Sequence, residues 1–225
     1  MLWSVLDPLL HLLVMKLVFT QFFGRTQPHY TIYLFSGNLL FSYFTQATNG
    51  GMGAIVSNSK IISKVRVPKY LFLLAKNVQC LINFGLTLLL YFVFVAFDHI
   101  AFTWRFFLLL YPAGCLIVFN IGVGMILSTL YVFFRDTSYL YGIFTMLLRY
   151  LSAIFYTIDR FSAEVQQIFL LNPVYCYIKY FRMIVIDGVV PSAPYHLLCA
   201  GYAFAAILLG MLVYKKNNVR FLYYI

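Results

Sequence analysis

Val165–Ile178, VQQIFLLNPVYCYI, is the longest uncharged run between Asp159 and Tyr195, and how it is read sets the number of membrane crossings. It is 14 residues long and has Pro173 inside it. A crossing helix needs about 20 mostly apolar residues. An internal proline removes a backbone donor and clashes with the preceding turn. The run is therefore too short and too broken to span, and it reads as part of a re-entrant or interfacial segment over about 161–190. Counted as a span, it would put Lys215, Lys216 and Arg220 on the side opposite the basic cluster Lys60–Lys69. Left out, it gives six spans with Lys60, Lys64, Arg66, Lys69, Arg135, Lys215, Lys216 and Arg220 on one side. The positive-inside rule selects six, with both termini cytoplasmic.

Composition supports a membrane setting. Of 225 residues, 63% are hydrophobic and 10% charged, and the mean hydropathy is +0.88. A soluble domain is about one quarter charged, so this chain is too poor in charge to cover a water-facing surface. The reading is an all-α integral membrane protein forming a single domain over 1–225. Its spans lie at about 2–23, 30–56, 70–97, 106–134, 139–158 and 197–214. The net charge of +10 sits between apolar blocks, which fits topology better than a nucleic-acid face. The opening block lacks the basic n-region and small-residue cleavage site of a signal peptide. Cys80, Cys115, Cys176 and Cys199 are isolated and lack metal-ligand spacing, so they read as ordinary buried thiols and no metal site is expected.

Polar residues are costly in lipid, so their angular placement carries information. Asn38, Ser42, Thr45 and Asn49 recur at i, i+4, i+7, i+11 and mark one helix face. Ser138, Gly142, Thr145, Arg149, Ser152 and Tyr156 form a similar stripe in the fifth span, and Lys76, Asn83 and Thr87 another in the third. Packing between helices accounts for small and hydroxyl residues at such positions. Arg149 near the middle of a span, and Lys16 in the first, also suit a path for an anionic substrate. Tyr43, Phe44, Tyr150, Phe155 and Tyr156 lie near the stripes and offer flat faces to sugar rings. The glycine clusters Gly50-Gly51-Met52-Gly53 and Gly122-Val123-Gly124 read as sites of close packing.

Between spans 2 and 3 runs NSKIISKVRVPK, Asn58–Lys69, with four cations among Ile and Val. Two readings stand: a topogenic basic loop, or a docking element whose Ile61, Ile62 and Val65 enter a cleft while Lys60 and Lys64 meet acidic rims. Phosphate-cradling G-x-x-x-x-G-K-[ST], the nucleophile elbow and H-E-x-x-H are all absent. Only six acidic residues occur, few for cation-coupled transport.

Four stretches, in order, resemble the membrane subunit of ABC type-2 exporters, specifically the permeases for O-antigen, capsule and teichoic acid. They are LWSVLDPLL at Leu2–Leu10, IVSNSKIISKVRVPKYLFLL at Ile55–Leu74 and FFRDTSYL at Phe133–Leu140. The fourth is LSAIFY at Leu151–Tyr156, followed by LNPVYCYIKYFRMIVIDG at Leu171–Gly188. Permeases of this kind carry an amphipathic segment ahead of the Leu-Trp-Ser motif. Here Met1 directly precedes that motif, so the sequence reads as lacking the segment.

The resemblance implies a half-channel in the bacterial cytoplasmic membrane, a homodimer of permeases with two separate ABC ATPase subunits. ATP and Mg would be bound by those partners and no cofactor by this chain. It makes Lys60, Ile61, Ile62, Lys64, Val65 and Arg66 a coupling helix to the ATPase, and the broken segment a pair of outer re-entrant helices. The substrate implied is a glycan or polyol phosphate on an isoprenoid diphosphate, with no nucleic-acid partner. Lys16 and Arg149 match no motif of the family and rest on the physical argument. Alternatives are an ABC type-2 exporter of a drug or lipid amphiphile, and a membrane-embedded transferase, which the scarcity of carboxylates and histidines disfavours.

Overall fold

The structure, a computed structural model, describes Leu10, Val14 and residues 29–64, 67–158, 161–218 and 220–224. Among them every regular element is helical. Helix α1 is Tyr30–Ser57, α2 is Ser59–Ile62 and α3 is Tyr70–Phe97. A 3-10 turn over Trp104–Leu109 leads into α4, Leu110–Phe133, and α5 is Thr137–Leu151. Then come α6, Ala163–Phe169, α7, Pro173–Val185, α8, Ala193–Asn217, and α9, Phe221–Tyr224. The first expected span, 2–23, lies outside the described residues apart from Leu10 and Val14.

Among the described residues, three stretches are long and apolar enough to cross a membrane: Tyr70–Phe97, Trp104–Phe133 and Ala193–Asn217. At 28 residues α1 is as long as α3, but it is less apolar because polar side chains interrupt it. The region around Pro173 breaks as the sequence requires: α6 and α7 are bent by 106°. Asn172 starts α7 as its N-cap, its side-chain oxygen accepting from the Val174 and Tyr175 amides at 3.0 and 3.4 Å. Pro173 occupies the first turn, where its missing N–H costs nothing.

The fifth span departs from expectation. A helix to Ile158 is predicted, yet α5 closes at Leu151 after 15 residues. The chain then runs through residues 152–158 without helix, with Ala153 at φ 48°. No proline or glycine sits there to announce the break, and its cause is tertiary.

The described chain divides into two compact units. The first takes residues up to Ser42, Ile82–Pro112 and Arg149–Ser192. Its core joins the N-terminal part of α1 to α3 and α7 through aromatic rings. Phe35 meets Tyr91 edge-on at 5.2 Å, Tyr91 meets Phe181 at 5.5 Å, and Tyr111 lies 5.7 Å from Tyr180. The second unit comprises Tyr43–Leu81, Ala113–Leu148 and Ala193–Ile225. There Ile55, Ile62, Leu73, Val132, Tyr214 and Phe221 share one buried cluster. Gly122 of α4 packs directly on the backbone of α8 at Ala206 and Gly210, so a Cβ at position 122 would collide with main chain. Gly51 lies against Gly124, where an added Cβ would come within 3.2 Å of the facing Cα. Small residues here permit the backbone approach that substitutes for hydrophobic driving force between helices in lipid.

Candidate functional site

Where α5 ends, it leaves a run of carbonyls without helical partners, and in an apolar surrounding each needs a donor. Side chains from α1 and α7 supply them. The Tyr30 hydroxyl donates to Phe155 O at 2.8 Å. The Tyr33 hydroxyl lies 2.7 Å from Tyr156 O and 3.2 Å from Ala153 O. Asn172 donates through Nδ2 to Leu151 O at 3.1 Å and to Ser152 Oγ at 3.0 Å. Tyr156 closes the segment on itself by donating to Tyr150 O at 2.7 Å.

Arg182 of α7 completes the arrangement. Only 6% exposed, it donates from Nη1 to Ala153 O at 2.9 Å and from Nη2 to Ile154 O at 3.2 Å. A second Nη2 bond reaches Tyr33 O at 3.0 Å, and Nε reaches Ser36 Oγ at 3.3 Å. The guanidinium also stacks on the Tyr33 ring, 3.4 Å from its centroid. Gly37 makes room for it, since a Cβ there would lie 2.5 Å from Arg182 Nη2. All four hydrogen-bond acceptors are neutral oxygens. The geometry thus uses four of the five N–H donors of the cation while leaving its charge without a described carboxylate partner.

Beside Arg182 the first unit holds a cavity of about 200 Å³. Tyr33, Thr157, Tyr175, Lys179, Arg182 and Asp187 supply its polar wall. Lys179 is half-buried, its Nζ 5.9 Å from the Tyr175 ring centroid. The sequence reading passed over Lys179 and Arg182. Their signal was present: Tyr175, Lys179, Arg182 and Ile186 fall at i, i+4, i+7, i+11 and so share one helix face.

The expected path residues are dispersed. Arg149 sits in the last turn of α5, not at mid-helix as the longer span implied. It is half-buried, its guanidinium 5.2 Å from the Phe41 ring centroid. Tyr150 is exposed and lies 6.3 Å from Phe155. Tyr156 packs edge-on against Phe169 at 6.4 Å. Tyr43 and Phe44 are each 2% exposed, with Phe44 against Phe119 at 6.1 Å, so both lie within the chain's own core. Lys16 lies outside the described residues. On α1, Gln46 and Asn49 are exposed and Asn38, Ser42 and Thr45 half-buried. The polar stripe of this helix is therefore partly covered, with Asn49 its most exposed member, while Leu34, Phe35, Leu39 and Leu40 are buried.

In the second unit, Ser59–Ile62 forms the short helix α2. Lys60, Ile61 and Lys64 are exposed, Ile61 at 50%, whereas Ile62 is 7% exposed and packs in the buried cluster with Phe221. Of the two isoleucines, Ile61 remains available to a partner and Ile62 anchors the helix to its own fold. Val65 and Arg66 lie outside the described residues. Lys69 ends the loop by donating to Asn218 O at 2.5 Å and resting 5.4 Å from the Phe221 ring centroid, which ties it to the C-terminal turn. Burial there holds its ammonium pKa below the ordinary lysine value. Among the described residues no three His, Cys, Asp or Glu side chains gather as a metal site.

No family model matches the chain. Curated relatives do. An "O-antigen export system permease protein RfbA" of Klebsiella pneumoniae is 25% identical over 222 residues, 98% of this chain and 85% of the relative. A Myxococcus xanthus protein of the same name is 28% identical over 197 residues, 85% of this chain and 75% of its own length. The "Polysialic acid transport protein KpsM" of Escherichia coli is 23% identical over 221 residues, covering 96% and 85% of the two chains. With helices long and apolar enough to cross a membrane and relatives that match 85–98% of its length, the chain is a multi-pass membrane protein homologous to permeases of O-antigen and polysialic acid export.

Proposed function

We propose that the chain is the membrane subunit of an exporter that moves a lipid-linked polysaccharide across the cytoplasmic membrane, with ATP hydrolysed by separate partner subunits. Two copies form the path, each contributing six spans, with the α6–α7 pair re-entrant on the outer side and α2 facing the ATPase in the cytoplasm. The observation that carries this reading is the match over 85–98% of the chain to relatives named as O-antigen export permeases and a polysialic acid transport protein. The named activities of the relatives support the same assignment. The exposed Lys60, Ile61 and Lys64 give α2 a basic rim with one apolar knob, suited to a cleft on a partner.

The test is purification of the tagged chain from its native membrane with an ATPase assay on the eluate. A stoichiometric Walker A partner is expected to co-purify, and Ile61→Asp is expected to remove it while leaving the permease folded, because Ile61 is exposed. Retention of the partner by Ile61→Asp would take the docking role away from α2. An eluate with no ATPase at all would sink the exporter reading.

A further inference from the structure

Arg182 alone is explained by the carbonyls it ties together, but Lys179 is not. It lies one turn earlier on the same helix, lines the same cavity, and makes no hydrogen bond or ion pair with a described residue. Among the described lining residues, two cations thus face the space and one carboxylate, that of the exposed Asp187. Holding a second ammonium half-buried beside a guanidinium is unfavourable unless something negative compensates it. The remaining wall includes Thr157 and the aromatic residues Tyr33 and Tyr175. A volume of about 200 Å³ is below the usual range for drug-sized ligands, roughly 300 Å³ upward. It suits one phosphate-bearing headgroup or one acidic monosaccharide unit.

We infer that the cavity walled by Tyr33, Thr157, Tyr175, Lys179 and Arg182 is a binding site for a single anionic group, phosphate or carboxylate, carried on a polar unit of monosaccharide size. Lys179 provides the direct ion pair. Arg182, whose donors are largely committed to backbone oxygens, contributes its field and the rigidity of the wall. The assignment rests on charge and size rather than on the transport reading, and each can fail without the other.

The full chain is reconstituted in nanodiscs of neutral phosphatidylcholine, and its unfolding temperature is followed while glucose 6-phosphate, glucuronate or glucose is added. In a parallel arm phosphatidylglycerol is included in the nanodisc, and retained lipid is counted by native mass spectrometry. A saturable stabilisation by the two anions and not by glucose assigns the site to an acidic sugar unit. Retention of phosphatidylglycerol assigns it to a lipid headgroup. In either case Lys179→Gln is expected to weaken binding roughly tenfold, and Lys179→Arg to recover most of it. Lys179 bonds no backbone in this fold, so the variant leaves the folded protein intact for the measurement. Absence of anion-selective binding in both arms, or binding indifferent to Lys179→Gln, would overturn the assignment.

Discussion

Two arginines in the same unit, Arg149 at the end of α5 and Arg182 within α7, show how differently one residue type is used. Arg149 is half-buried and rests on a single ring, Phe41, at 5.2 Å. Arg182 is enclosed, stacks on Tyr33 at 3.4 Å and bonds four neutral oxygens on two stretches, Tyr33 and Ser36 of α1 and Ala153 and Ile154 after α5. In sequence Arg149 stands out because it interrupts an apolar run, while Arg182 hides in a segment already rich in polar residues. Depth in a hydrophobic run is therefore a poor guide to burial when the run itself unwinds. The guanidinium that holds residues 152–158 in place is the one on the neighbouring helix.

The largest effect expected is for Arg182→Ala. It leaves the Ile154 carbonyl without its described donor, takes one of two donors from the Ala153 carbonyl and empties the space the guanidinium fills, for a loss of about 3–5 kcal/mol. Thermal unfolding of the purified protein in detergent reads this directly. Stability unchanged from wild type would break the contrast drawn between the two arginines. An intermediate loss is expected for Tyr33→Phe, which retains the ring under Arg182 but removes the hydroxyl between Ala153 and Tyr156. The cost expected is about 1–3 kcal/mol for the buried carbonyl left unpaired, seen as a lower unfolding temperature. A value near zero would mean that Arg182 holds the segment without α1.

The smallest stability effect is expected for Arg149→Ala. Loss of one partly exposed cation–ring contact is worth about 0.5–1 kcal/mol. If Arg149 lines the export path, the same variant lowers polymer export in cells while the protein level holds. Export at the wild-type rate would remove Arg149 from the path and leave α1 to line it.

Much of the helical content was legible because long uncharged runs have few alternatives in a membrane: α3, α4 and α8 follow the apolar blocks closely. The bend at Pro173 was equally legible, since a proline with an Asn-Pro start both breaks one helix and begins another. The coupling segment was half legible. The Ile61-Ile62 pair announced an apolar contact, but which isoleucine turns inward depends on Phe221, more than 150 residues away in sequence. The cavity was not legible although Lys179 and Arg182 share a helix face, because its other walls, Tyr33, Ala153 and Thr157, come from distant parts of the chain.

By itself the sequence determined that this is a helical membrane protein, where its apolar blocks begin and end, which loops are basic and which family of permeases it resembles. The helical blocks and basic loops follow from composition and local periodicity, which the cost of burying polar backbone in lipid enforces at every position, whereas the family resemblance rests on four motif stretches. The tertiary structure alone decided that α5 stops at Leu151. The carbonyls of Leu151 and of Ala153 to Tyr156 leave the helix because Tyr30, Tyr33, Asn172 and Arg182, drawn from two other segments, bring them donors. Residues 152–158 contain nothing that encodes those donors, so only the folded arrangement could show the break.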